Sequence, residues 1–327
     1  MIPTWKIKRE LERLKVQASA IPLAIYEPFL QRRYDPKRSE LIKYIVGALP
    51  ARDNLVIFLI YQPNGIPNSI LDTCKHLVSS GFAPIIVSNT PLSDSDRIAL
   101  KKLVYIVAER PNFGYDFGGY RDGLWLINQI GLQPQNILFL NDSIWFPALE
   151  KQSLLTELLQ PDLEYTGVQV FDQSNKGNMR QPMFGSYCFA VNERLLKKSE
   201  FIDFWKHYRL SSNKENTLRR GERAFSNQMM KATKHSHGIY SLNRFNSVVE
   251  GLTPDKLHEA LGDLITTAPH LENKRLQLLN MKKTIQWVKD AKTLLQEGAK
   301  TKNYIGSSPV LSIREMGFPM IKKNNQR

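Results

Sequence analysis

At 327 residues, with 42% hydrophobic and 10% aromatic side chains, the chain can bury a sizeable core and has the composition of an ordinary globular protein of one large domain or two. Its 45 Lys and Arg against 31 Asp and Glu give a formal charge of +14, which favours anionic partners such as nucleic acid, acidic lipid or phosphorylated small molecules. Ten basic and five acidic residues fall in positions 1–50, and twelve and four in 271–327, so the middle is nearly neutral and a nucleic-acid cleft running through it is disfavoured.

From the N-terminus, the stretch WKIKRELERLKVQA (5–18) puts Ile7, Leu11, Leu14 and Ala18 on one helical stripe. Lys6, Arg9, Arg13 and Lys15 fall on other faces, which makes a basic amphipathic helix suited to an anionic membrane interface or to packing on the body. No apolar leader with a small-residue cleavage site is read there. The longest apolar run, Leu55 to Tyr61, is far short of the ~20 residues that span a bilayer. Cys74 and Cys188 are too few and too far apart for a disulfide framework or a zinc site, and read as buried free thiols in a reducing compartment. A cytoplasmic protein, soluble or peripheral on the inner face of the membrane, is the expectation.

From Asn54 the pattern changes. NLVIFLIYQ, FAPIIVSN and VYIVAE read as apolar strands, with amphipathic helical stretches at 69–80 and 93–103 between them. A Gly-rich loop over 110–123, a helix around Leu124–Ile130 and the strand opening ILFL follow. TGVQVF and SYCFAV look like further strands, EFIDFWKHY and GERAFSNQMMKAT like helices, and the chain beyond about 250 is mostly helical. Strands apolar throughout and alternating with helices predict an α/β fold with a mostly parallel sheet covered on both faces. Ligands of such sheets sit beyond the carboxyl ends of the strands. The division expected is a basic N-terminal segment (1–50), a catalytic or binding domain (51–250) and a basic helical C-terminal region (251–327).

Three stretches carry candidate chemistry. RPNFGYDFGGYRDG (110–123) gathers Gly114, Gly118, Gly119 and Gly123 around Asn112, Asp116, Tyr120, Arg121 and Asp122, and glycines there can let backbone approach a ligand or face amides toward an anion. It matches neither a dinucleotide fingerprint nor a P-loop. Asn141-Asp142-Ser143 ends an apolar strand with one carboxylate among small hydrogen-bonding residues, fit for a ribose, a divalent ion or an Asx-turn. Glu222, in RRGERAFSNQ, lies near a helix start and can serve either the helix dipole or as a general base toward a hydroxyl. Ser186 and Tyr187, at the start of a strand, are candidate acceptor contacts, and His235 and His237 read as solvent-facing rather than as metal ligands.

Taken together, NFGYDFGGYRDGL, LFLNDSIWFP, FGSYCFAVNERLL, FIDFWKHY and GERAFS, with the closing GFPMIKK, resemble the rhamnan-synthesis protein F family of bacterial polysaccharide and lipopolysaccharide assembly. The resemblance covers about residues 50–245 plus the ending, where Met320 stands in place of an expected Phe. It implies a GT-A-like fold and transfer of a sugar, often rhamnose, from a nucleotide-sugar to a lipid-linked or growing glycan. Asn141-Asp142-Ser143 falls where many GT-A enzymes carry Asp-x-Asp, so Mg²⁺ or Mn²⁺ on Asp142 is implied only weakly. Arg110, Arg121 or Arg180 are the alternative partners for the leaving diphosphate. On this reading Asn112, Gly114, Asp116, Tyr120, Arg121, Asn141 and Ser143 bind donor, Ser186 and Tyr187 bind acceptor, and Asp142 and Glu222 are catalytic. The other reading is a silent glycan- or nucleotide-binding subunit.

Overall fold

The computed structural model describes residues 26–150, 152–171 and 182–323. The basic stretch 5–18 and Arg180 lie outside the described residues. The strands are β1 (Lys43–Val46), β2 (Asn54–Ile60), β3 (Ala83–Ser88), β4 (Ile106–Glu109), β5 (Asn136–Asn141), β6 (Ile144–Trp145), β7 (Tyr165–Phe171), β8 (Met183–Phe184), β9 (Cys188–Asn192), β10 (Ser236–Tyr240) and β11 (Ile321–Lys322). Among the described residues nine of them form one sheet in the order β1-β4-β3-β2-β5-β9-β7-β10, with β8 beside β7. β2, β3, β4 and β5 run parallel to one another, and β10 runs parallel to β7. β1 at one edge and β9 between β5 and β7 run against them. This is the α/β class with a mostly parallel sheet expected from the sequence.

Helices cover both faces. The longer ones are α1 (residues 26–34), α2 (Asn68–Ser79), α3 (Asp94–Lys101), α4 (Tyr115–Gln129), α5 (Ser199–His207), α6 (Ala224–Ala232), α7 (Leu242–Glu250), α8 (Pro254–Gly262), α9 (Pro269–Leu279) and α10 (Ile285–Lys302). β2 shows why its run is apolar throughout. Val56, Phe58 and Ile60 enter a core with α2 and the C-terminal helices, while Leu55, Ile57 and Leu59 enter a second core with α4, α5 and α6. Each side chain so buried contributes about 1.5–3 kcal/mol, which keeps a central strand apolar on both faces. Phe245, Leu257, Trp287 and Leu295 of the C-terminal helices belong to the same core as Val56 and Phe58.

The expected Gly-rich loop over 110–123 is mostly helix. α4 begins at Tyr115, so Gly118, Gly119, Tyr120, Arg121, Asp122 and Gly123 are helical, and the glycines approach protein rather than ligand. A Cβ on Gly119 would lie 2.1 Å from Leu59 Cδ1, one on Gly123 2.7 Å from Ile57 Cγ2, and one on Gly118 2.1 Å from the Phe113 carbonyl oxygen. Gly119 and Gly123 let α4 lie close on β2, and Gly118 lets it lie close on the loop before it. Only Gly114 serves a turn: at φ 87° it precedes the helix, and Tyr115 follows with φ 49°, a conformation that costs a non-glycine residue about 1–3 kcal/mol.

Candidate active site

The parallel register aligns the carboxyl ends of β2 and β5, with Leu59 opposite Asn141. The chain beyond β2 therefore meets the chain beyond β5. The Tyr61 N–H donates to Asp142 Oδ2 at 2.8 Å, and Gln62 Nε2 donates to the same oxygen at 2.5 Å. On the other side β9 starts at this rim, because it runs antiparallel, and the Asn141 N–H donates to the Tyr187 carbonyl at 3.0 Å.

Asn141 is buried and fully employed. Its Nδ2 donates to Asp116 Oδ2 at 2.8 Å, while its Oδ1 accepts from the Ser143 N–H at 3.1 Å and from Ser143 Oγ at 2.6 Å. The side chain is thus a strut that joins the first turn of α4 to the end of β5. Glu222 comes from a π-helical turn, Leu218–Arg223, that runs into α6. Such wide turns are rare and concentrate at functional sites. Its Oε1 accepts from the Ser186 N–H at 3.2 Å, in the short break between β8 and β9. The Ser186 carbonyl in turn accepts from the hydroxyl of Tyr120, 2.9 Å away.

Three half-buried carboxylates, Asp116, Asp142 and Glu222, therefore converge on one rim. Burial, then the nearby charge of Asp142, then that of Glu222, push Asp116 up to about 6, against the hydrogen bond from Asn141. Burial also raises Asp142 and Glu222 above the usual carboxylate range. Tyr61, Gln62 and the Lys323 charge offset it in part for Asp142, and Ser186, Lys322 and Arg223 do so for Glu222. A carboxylate whose affinity for a proton is raised is better suited to receive one from a hydroxyl.

The remaining expected residues divide. Asn141 and Ser143 join the rim directly, and Gly114 shapes the turn before Asp116. Asn112 stands exposed on the loop before α4. Tyr120 is fully buried behind the rim. Tyr187 is buried too, its hydroxyl donating to Gln169 Oε1 at 2.9 Å. Arg121 is not brought to the rim: its guanidinium grips Asp35 at 2.7 and 2.9 Å and donates to the Trp205 carbonyl. Arg110 is likewise committed, donating to Asp122, to Asn89 and to the Phe113 carbonyl. His235 and His237 are exposed, and Cys74 and Cys188 are buried free thiols.

Sequence reasoning missed Tyr61, Gln62 and two lysines. β11 pairs with β6, placing Lys322 opposite Ile144, and the Lys323 N–H donates to the Ser143 carbonyl at 2.9 Å. Tyr61 and Gln62 directly follow a parallel strand, and the carboxyl-edge rule alone could have singled them out. No local pattern ties residues 322 and 323 to residue 142.

The donor set is a poor fit to a divalent ion held by the protein. Mg²⁺ asks for hard anionic oxygens, whereas Asp142 Oδ2 already accepts two N–H bonds and has the Lys323 charge nearby. Among the described residues no group of three or more His, Cys, Asp or Glu is placed to hold a metal. Nor is any helix among them long and apolar enough to cross a membrane.

Residues 84–298 match the family described as rhamnan synthesis protein F. The chain belongs to that family. The matched span carries Asp116, Asp142, Ser186 and Glu222 and stops before Lys322 and Lys323. A relative, the uncharacterized protein y4gN of Sinorhizobium fredii (strain NBRC 101917 / NGR234), is 31% identical over 219 residues, which cover 67% of this chain and 57% of that protein. The chain thus spans little more than half the length of the curated relative it matches. Among solved structures it is similar to the mannosyltransferase PcManGT from Pyrobaculum calidifontis in complex with GDP-Man and Mn²⁺, with 10% identity, TM-score 0.36, and 92% of this chain and 91% of that one covered. It is also similar to the glycosyltransferase GlyE in Streptococcus pneumoniae TIGR4, with 12% identity, TM-score 0.35, and 78% and 64% covered. These are distant likenesses, and no residue role is taken from them.

Proposed function

We propose that the chain is a glycosyltransferase that moves a sugar, rhamnose as the family description suggests, from a nucleotide-sugar to a growing or lipid-linked cell-surface glycan. The observation that carries this reading is the convergence of Asp116, Asp142 and Glu222 at the carboxyl edge of β2 and β5, where α/β sheets receive ligands. Sugars present hydroxyls, and half-buried carboxylates tied to main-chain N–H groups are placed to accept hydrogen bonds from them. Asp116, steadied by Asn141, and Asp142 orient the donor.

In an inverting transfer Glu222 is the general base. The acceptor oxygen forms its bond to the anomeric carbon while the bond to the diphosphate breaks, the bonding pair leaving with the diphosphate and the acceptor proton passing to Glu222. The raised affinity of Glu222 for a proton suits that task. Ser186, held by Glu222, would face the acceptor.

Attachment to an anionic membrane surface belongs to the same proposal. In α1, Tyr26 and Phe29 are exposed large side chains, and Arg33 lies over the Phe29 ring at 5.8 Å, a pairing of aromatic and basic groups suited to an interface. The test of function is hydrolysis of a panel of nucleotide-sugars without acceptor, with and without EDTA. Turnover of at least one donor supports the reading. Donor binding without turnover would favour a silent binding subunit, and neither binding nor turnover across the panel would end the proposal.

A further inference from the structure

The site as described has carboxylates in excess, yet a departing diphosphate needs positive charge. Of the three arginines the sequence offers, Arg180 lies outside the described residues, and Arg110 and Arg121 spend their donors on Asp122, Asn89, Phe113, Asp35 and Trp205. Lys214 bears on Asp116 and Arg223 on Glu222, but the positive charge beside Asp142 comes from the far end of the chain. The segment before β11 is firmly seated: Phe318 and Met320 are buried, the Tyr240 hydroxyl donates to the Gly317 carbonyl at 2.7 Å, and the Ala148 N–H donates to the Pro319 carbonyl at 2.7 Å. β11 then pairs through its main chain with β6, immediately after Asn141-Asp142-Ser143. The register is closed by the Lys323 N–H on the Ser143 carbonyl. Lys322 is exposed and Lys323 half-buried, so one lysine stands at the mouth of the site and the other within it.

We propose that β11 and the residue that follows it supply the cation of this site, with Lys323, assisted by Lys322, neutralising the diphosphate of the donor in the place where a divalent ion would otherwise be needed. The proposal rests on the glycosyltransferase reading and deepens it by naming the group that meets the leaving diphosphate. As the bond between the anomeric carbon and the diphosphate oxygen breaks, its electron pair adds one negative charge to the leaving group. A preorganised ammonium at a rim with few other free cations lowers the energy of that charge. The surroundings agree with this arrangement. Burial lowers the Lys323 pKa and the Asp142 charge draws it back up, so the ammonium is held partly desolvated beside a single carboxylate, where a diphosphate gains most from it. Lys322 bears on Glu222 in the same way, lowering a carboxylate that burial raises.

The experiment compares wild type with K323A, K323R and K322A. It measures donor hydrolysis with and without EDTA, calorimetric binding of UDP, GDP and dTDP, and melting midpoints. Because the β6–β11 pairing runs through the main chain, K323A keeps the wild-type midpoint. The expected result is turnover and nucleoside diphosphate binding indifferent to EDTA, with kcat about 100-fold lower in K323A and within about threefold of wild type in K323R. A smaller loss, near tenfold, is expected of K322A. Turnover abolished by EDTA and restored by Mn²⁺, with K323A unimpaired, overturns the inference and leaves the glycosyltransferase reading standing. Wild type that neither hydrolyses any donor nor binds any of the three diphosphates defeats both. Diphosphate binding without turnover, lost in K323A and kept in K323R, sustains the assignment of Lys323 while removing the catalytic reading.

Discussion

Two aspartates on one helix, Asp116 and Asp122 of α4, live in opposite surroundings. Asp122 is fully buried, accepts hydrogen bonds from Tyr34 Oη at 2.6 Å and Arg110 Nε at 2.5 Å, and is ion-paired with Arg38 Nε at 3.3 Å. Asp116, six residues earlier, accepts from a single amide and faces two further carboxylates, and its pKa rises to about 6. The difference teaches where this chain spends charge. A buried carboxylate matched by cations locks α1, α4 and the loop after β4 together, whereas carboxylates crowded together and only partly offset by lysines and an arginine work against stability and persist where a ligand completes them.

The comparison can be broken most forcefully on its paired side. Arg110→Ala leaves Asp122 buried and short of its closest partner, and a loss of about 3–5 kcal/mol is expected in urea denaturation. An R110A protein as stable as wild type would show that the network is not what holds α4.

On the crowded side the expected losses are of turnover, not of stability. Glu222→Gln and Asp142→Ala should each lower donor transfer by about 10²–10³-fold with intact circular dichroism. Full activity in both would remove their assigned roles. Asp116→Asn sharpens the contrast through pH. Native Asp116 takes up its proton at about 6 against about 3.8 for an unfolded carboxyl, so wild-type stability falls as pH rises through that window and stays lower above it. D116N should therefore exceed wild type by up to about 3 kcal/mol at pH 7.5, with the gain vanishing near pH 4. A variant less stable than wild type at both pH values would contradict the crowding. The smallest effect tests the helix–sheet fit: Gly119→Ala drives a methyl against Leu59 and should cost about 1–3 kcal/mol.

The sheet was legible because a parallel strand buried on both faces, as Asn54–Ile60 is, leaves an unbroken apolar run that little else produces. The carboxyl-edge rule then placed Asp142 at a rim. What misled was glycine. In 110–123 the same residue type that opens a backbone to a ligand instead brought α4 onto β2, and sequence does not say which surface a missing Cβ admits. The arginines misled for a related reason. A guanidinium that can clasp a phosphate can clasp Asp35 or Asp122 equally well, and only tertiary contacts decide which. Lys322 and Lys323 were invisible because their neighbours in space, Glu222 and Asp142, stand 100 and 181 residues earlier in the sequence.

The most direct test of the contrast is the titration of Asp116 by carboxyl carbon NMR, in wild type and in Asp142→Asn. A midpoint near 6 that moves down when the neighbouring charge is removed is the result expected of carboxylates gathered at one rim. A midpoint near 4 in wild type, or one indifferent to the substitution, would mean that the two side chains do not share a site.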